Sequence, residues 1–137
     1  GRKRPTWLGL EAANKAIKGD LMKVNVTGVP SYNQSPINGI VGQTQTEYIQ
    51  AFAFKQGGQY GLVLFNVDIN RAHAVTLQLP SAPQGQAQLY TFSSADIDAN
   101  NEDNMNVGIF QSSMALGKTQ SMTLGAHSMY VLTWSGQ

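Results

Sequence analysis

Asp96, Asp98, Asn100, Glu102 and Asp103 crowd into ADIDANNEDNMN, residues 95–106 of an otherwise weakly charged chain. Oxygen-bearing side chains at that density suit a hard cation or a pair of catalytic carboxylates. The calcium reading can be set against a template. An EF-hand loop begun at Asp96 finds oxygen ligands at Asp98 and Asn100, but it needs Gly at its sixth position and Glu at its twelfth. The sequence has Asn101 and Val107 there. Carboxylates acting as acid and nucleophile must face each other across a substrate, about 5 Å or more apart, from separate rigid elements. Asp96, Asp98, Glu102 and Asp103 share one flexible connection, and Glu11, Asp20, Glu47 and Asp68 form no opposed pair. No catalytic residue and no metal ligand is therefore assigned. The Asp and Asn side chains are expected to shape a turn.

The other reactive types give no constellation either. His73 and His127 each precede an expected strand, without the spacing of a zinc site, and are expected to be solvated or bonded to backbone. No Gly-x-Ser-x-Gly elbow occurs, and Gly57-Gly58-Gln59-Tyr60-Gly61 reads as a hairpin turn rather than a phosphate loop. No cofactor is implied. Aromatic rings can stack on sugar faces, but Phe52, Phe54, Phe65, Tyr90, Phe92, Tyr130 and Trp134 fall in expected strands and are assigned to the core. Tyr32 lies instead in the long polar stretch SYNQSPINGIVGQTQTE, 31–47, and is the candidate for carbohydrate contact. Asn25-Val26-Thr27 and Asn33-Gln34-Ser35 match the glycosylation sequon.

These residues must be positioned by short elements. In PTWLGLEAANKAIKGD, Pro5 suits a first helical turn, Trp7, Leu10, Ala13 and Ile17 recur at helical intervals, and Gly19 stands as a left-handed C-cap. Beyond Gly19 the period falls to two. LMKVNV, YIQAFAF, GLVLFNV, AVTLQL, AQLYTF, VGIFQS, SMTL and MYVLTW predict about eight strands. AVTLQL alternates cleanly and is expected to bury one face, whereas GLVLFNV is nearly continuous apolar and is expected to be covered on both. The fold class is mainly β: an antiparallel β-sandwich with one N-terminal helix, a closed barrel being the alternative.

Composition narrows the partners. The formal charge is +1, and three of the nine basic residues sit in the opening GRKR, so no basic face for nucleic acid is expected. There is no cysteine and hence no disulfide or thiolate site. No apolar run is long enough for a membrane helix, and none follows the opening charges as a signal peptide requires. An opening Gly1 rather than Met suggests a piece excised from a longer protein.

Four segments in order carry a resemblance. RPTWLGLEAANKAIKGDLMKVNV resembles the last helix of a glycosidase (β/α)8 barrel running into the first strand of an attached β-domain. YGLVLFNVDINRAHAVTLQLP is similar to paired strands of that domain, and LYTFSSADIDANNEDNMNVGIF to its Tyr-bearing strand, Asn-rich loop and following strand. LGAHSMYVLTW resembles the closing strand, with Ala126 where the family commonly has proline. The family is that of clan A glycoside hydrolases such as arabinofuranosidases, xylosidases and heparanase-like glucuronidases.

The resemblance implies an accessory sandwich without its engine, since the family's catalytic glutamates lie on barrel strands that precede the last helix. Residues 1–19 would end a barrel domain, and 20–137 would form the sandwich. Trp7, Leu8 and Leu10 would lie at the junction with the barrel of the same polypeptide. It further implies a secreted or periplasmic protein with polysaccharide as a second partner. An independent carbohydrate-binding module and a small enzyme using the acidic loop are the other readings.

Overall fold

Helix α1 spans Pro5–Ala16 in the computed structural model, which describes residues 2–136; Gly1 lies outside them. Pro5 has no N–H to waste at the first turn, and Arg4 precedes it in an extended conformation. Leu8, Ala12 and Ala16 recur every fourth residue and are the buried side chains of the helix. Two of the three are alanines, so the helix can lie close on whatever it covers. It lies close on Gly61, where a Cβ would stand 2.0 Å from the Ala16 carbonyl oxygen. Gly61 is thus a packing requirement rather than a turn residue.

The helix is capped at Ile17, whose N–H reaches the Ala13 carbonyl (3.1 Å) while its own backbone has become extended. Gly19 is left-handed, at φ +53°, but it lies beyond that cap. A close crossing excludes a side chain there as well. A Cβ at Gly19 would meet the Lys55 carbonyl oxygen at 2.2 Å.

Ten strands follow: β1 (Asp20–Met22), β2 (Ser31–Gln34), β3 (Gln43–Glu47), β4 (Ile49–Gln56), β5 (Gln59–Asn66), β6 (His73–Gln78), β7 (Gln84–Phe92), β8 (Ile109–Ala115), β9 (Thr119–Leu124) and β10 (Ser128–Ser135). Six form one open sheet in the order β1-β4-β5-β10-β7-β8, while β6 pairs with β9 and β2 with β3. Every pairing is antiparallel. The mainly-β expectation with one helix therefore holds, and the large sheet is open rather than a closed barrel.

Alternation along the central strands sorts the core into two layers. Tyr60, Leu62 and Leu64 on β5 join Leu132 and Trp134 on β10, and Val75, Leu77 and Met122 of the β6–β9 ribbon pack against them. On the other face Val63, Met129 and Val131 meet Ala12 and Ala16 of the helix, with Phe54, Phe65, Tyr90 and Phe92 around them. GLVLFNV is covered on both faces because helix and ribbon lie on opposite sides of β5. The ribbon shows the expected one-sided burial, with Ala74, Thr76 and Gln78 exposed between half-buried Val75 and Leu77. Between ribbon and sheet lies a cleft of ≈ 650 Å³, walled by β6 and by residues 23–30.

Sequence periodicity misses β2 and β3. SYNQ and QTQTE carry almost no apolar alternation, and the stretch 31–47 is a hairpin arm rather than a loop. Its tip pairs Ile37 with Ile40 around Asn38 (φ +49°) and Gly39 (φ +83°). Two consecutive positive φ values make this a type I′ turn, the geometry that an Asn-Gly pair favours.

Candidate functional site

Tyr32 sits on β2 opposite Thr46, not in an irregular loop. Its ring stacks on Tyr48 with centroids 4.7 Å apart and planes 28° apart. Tyr48 in turn stacks on His73 at 5.7 Å and 19°. His73 Nε2 donates to Asp68 Oδ2 at 2.8 Å, with both side chains largely buried. Three rings thus stand in a row behind one carboxylate. Tyr32, at the end, keeps part of its surface in solvent.

The carboxylate is itself fixed. Asp68 Oδ1 accepts from the backbone amides of Asn70 (2.9 Å) and Arg71 (3.1 Å). The Asn70 amide is the main reason the carboxyl is held below its ordinary range; burial opposes it, and the His73 ring and Arg71 amide assist. Behind Asp68, the buried Asn66 side chain donates to the Arg71, Leu124 and Gly125 carbonyls (2.8, 3.2 and 2.8 Å) and accepts from the Asp68 amide (3.0 Å). Asn66 ends β5, so its bonds tie the β5–β6 crossover to the turn before β10. His127, with φ +36°, stands in that turn, its ring nitrogens facing the Ile69 and Ser94 carbonyl oxygens. His127 is backbone-bonded as its sequence context predicts. His73 is not, being paired to a side chain and stacked on a ring.

Some side chains of the acidic connection spend an oxygen on its own backbone, while Glu102 Oε1 faces Arg4 Nη2 at 3.4 Å. Asp96 Oδ1 accepts the Asp98 amide (2.9 Å) and Asn100 Oδ1 the Glu102 amide (3.0 Å), both Asx-turn bonds. Asn101 is the residue that sequence reading passes over. It is 2% exposed, accepts the Asn106 and Val107 amides (2.9 and 2.8 Å) and donates to the Val107 and Lys3 carbonyls (2.8 and 2.9 Å). One side chain therefore folds the connection and fastens it to the segment that enters the helix. Among the described residues no group of three or more His, Asp or Glu could hold a metal ion.

The three residues assigned to a junction separate. Leu8 is 6% exposed and belongs to this chain's own packing, whereas Trp7 and Leu10 are each 60% exposed on the outward side of the helix. Ile17 continues that side at 51%. Phe52 faces the same way as Val63, its register partner in the helix-side core, and is 45% exposed. Leu21, opposite Phe54, is 66% exposed. The helix-bearing side of the sheet thus carries several large apolar residues left exposed among the described residues.

Neither a family model nor a curated protein sequence matches the chain. Solved structures do. The fold matches an arabinofuranosidase crystal structure at TM-score 0.82 and 20% identity, over 96% of this chain and 29% of that one. It matches the GH51 α-L-arabinofuranosidase of Thermotoga petrophila RKU-1 at TM-score 0.82 and 21% identity, over 95% of this chain and 28% of that one. The α-L-arabinofuranosidase of Thermotoga maritima, solved with arabinose, gives 0.82 and 20% over the same shares. The chain spans less than a third of the length of these structures, and over nearly all of its own length it has the fold of one part of them.

Proposed function

We propose that the chain is the non-catalytic β-domain of a glycoside hydrolase, seated on the flank of a (β/α)8 barrel in the same polypeptide. The observation that carries this reading is the near-complete coverage of the chain, 95%, against 28% of a GH51 arabinofuranosidase. Residues 1–19 then form the helical exit of the barrel, and 20–137 the β-domain. The exposed Trp7, Leu10 and Phe52 give the barrel an apolar surface to cover. A polysaccharide substrate would place the enzyme outside the cytoplasm, secreted or periplasmic.

Two measurements test the reading. The isolated chain should release no p-nitrophenol from p-nitrophenyl arabinofuranoside or xyloside, while the complete reading frame around it should encode a barrel and hydrolyse at least one of them. Turnover by the isolated chain, or a reading frame without a barrel, would end it. A second reading, an independent carbohydrate-binding module, is favoured by one observation, the row of rings ending at Tyr32.

A further inference from the structure

We infer that the Tyr32 ring is the contact platform of a binding surface for a neutral sugar unit, oriented through Tyr48 and His73 by the buried Asp68. The inference rests on the carbohydrate context proposed above and assigns the site and the ligand class within it.

Three observations converge. First, the row runs from the core outward: Asp68 and His73 are largely buried, Tyr48 is half-buried, and Tyr32 ends the row partly in solvent. A ring held from behind loses little freedom when a ligand lies on it, so less of the binding energy goes to ordering the site. Second, Tyr32 is carried on a paired strand, which fixes its position more firmly than a loop would. Third, the arm that bears it carries no charge, and its exposed apolar residues Ile37, Ile40 and Val41 gather toward its tip. Residues 31–46 contain no Asp, Glu, Lys or Arg, and Asn33, Gln34, Gln43, Thr44 and Gln45 of the arm are exposed amides and hydroxyls. Asn33 Oδ1 is engaged with the Gln45 amide (2.9 Å), which shapes the arm, while the glutamine side chains present both donors and acceptors. A flat ring on an uncharged arm of exposed amides matches a ligand with an apolar C–H face and a rim of hydroxyls. An anionic sugar would find no counter-charge on the arm.

A row of rings could equally serve only to pin the arm to the sheet, and the experiment separates the two roles. Native gels cast with arabinan, arabinoxylan, xyloglucan or mixed-linkage glucan should retard the chain in at least one case, whereas polygalacturonate should not. Tyr32→Leu, which keeps bulk without a π face, should weaken the retardation about fivefold or more, and Tyr32→Phe should keep it. Tyr48→Leu should weaken it as well, because the platform loses its support. Retardation of the wild type by none of the neutral polymers, by polygalacturonate alone, or equally for Tyr32→Leu overturns the inference. A fall in the melting temperature of Tyr32→Leu without any wild-type retardation assigns the row to pinning alone. Each of these failures leaves the glycoside hydrolase reading standing, since that reading turns on hydrolysis by the complete reading frame.

Discussion

Asp68 shows how much one carboxylate can organise when it is satisfied from several sides. It accepts two backbone amides, meets the His73 ring, and through that ring sets the row that ends at Tyr32. Its pKa is lowered on folding, so the charged form is the one the native state favours. The stabilisation it gives is complete above the unfolded carboxyl value of about 4 and is lost as pH falls through the lower folded value. Melting curves between about pH 6 and pH 3 should therefore fall more steeply for the wild type than for Asp68→Asn, which keeps an acceptor for the amides without the charge. Parallel curves would show that Asp68 contributes no pH dependence. From the sequence, Tyr32 could be marked as a candidate because it is an aromatic in a mostly polar stretch. Tyr48, His73 and Asp68 could not, since they lie in separate elements and come together only when the β5–β6 crossover closes. Asn101 was hidden for another reason: its four bonds are to backbone groups, which no side-chain pattern announces.

Among the elements, those read correctly are the ones whose burial leaves an apolar trace. β5, β6 and β10 bury alternate or continuous apolar residues, and the sequence carries that rhythm directly. The β2–β3 arm projects polar residues on both sides and leaves no such trace, although its Asn38-Gly39 pair is a hairpin signal. Glycines mislead for a related reason, because a close approach between distant elements looks like a turn in the sequence. At Gly61 the demand comes from the Ala16 carbonyl, contributed by a different element. Gly61→Ala should destabilise the chain by about 2–3 kcal/mol or more, since backbone rather than a flexible side chain must yield. Urea unfolding measures this, and a loss below about 0.5 kcal/mol would mean that the helix end can lift from β5 without penalty.

For the molecule as a whole, the two sides of the large sheet have different fates. One is packed by the β6–β9 ribbon with a cleft between them, while the other carries a helix with exposed apolar residues on its outer side. Trp7→Ser with Leu10→Ser should leave the unfolding free energy of the isolated chain within about 1 kcal/mol and reduce its self-association in sedimentation velocity. A large loss of stability would show that these side chains belong to the chain's own core. The strand order has a further consequence in time rather than space. β10, the last strand in sequence, lies between β5 and β7 in the middle of the sheet. During synthesis the β4–β5 hairpin and the β7–β8 pair can each form before β10 emerges, yet neither finds its central neighbour until it does. Until then both β5 and β7 present open edges, so the nascent polypeptide is exposed to wrong pairing along them until β10 emerges.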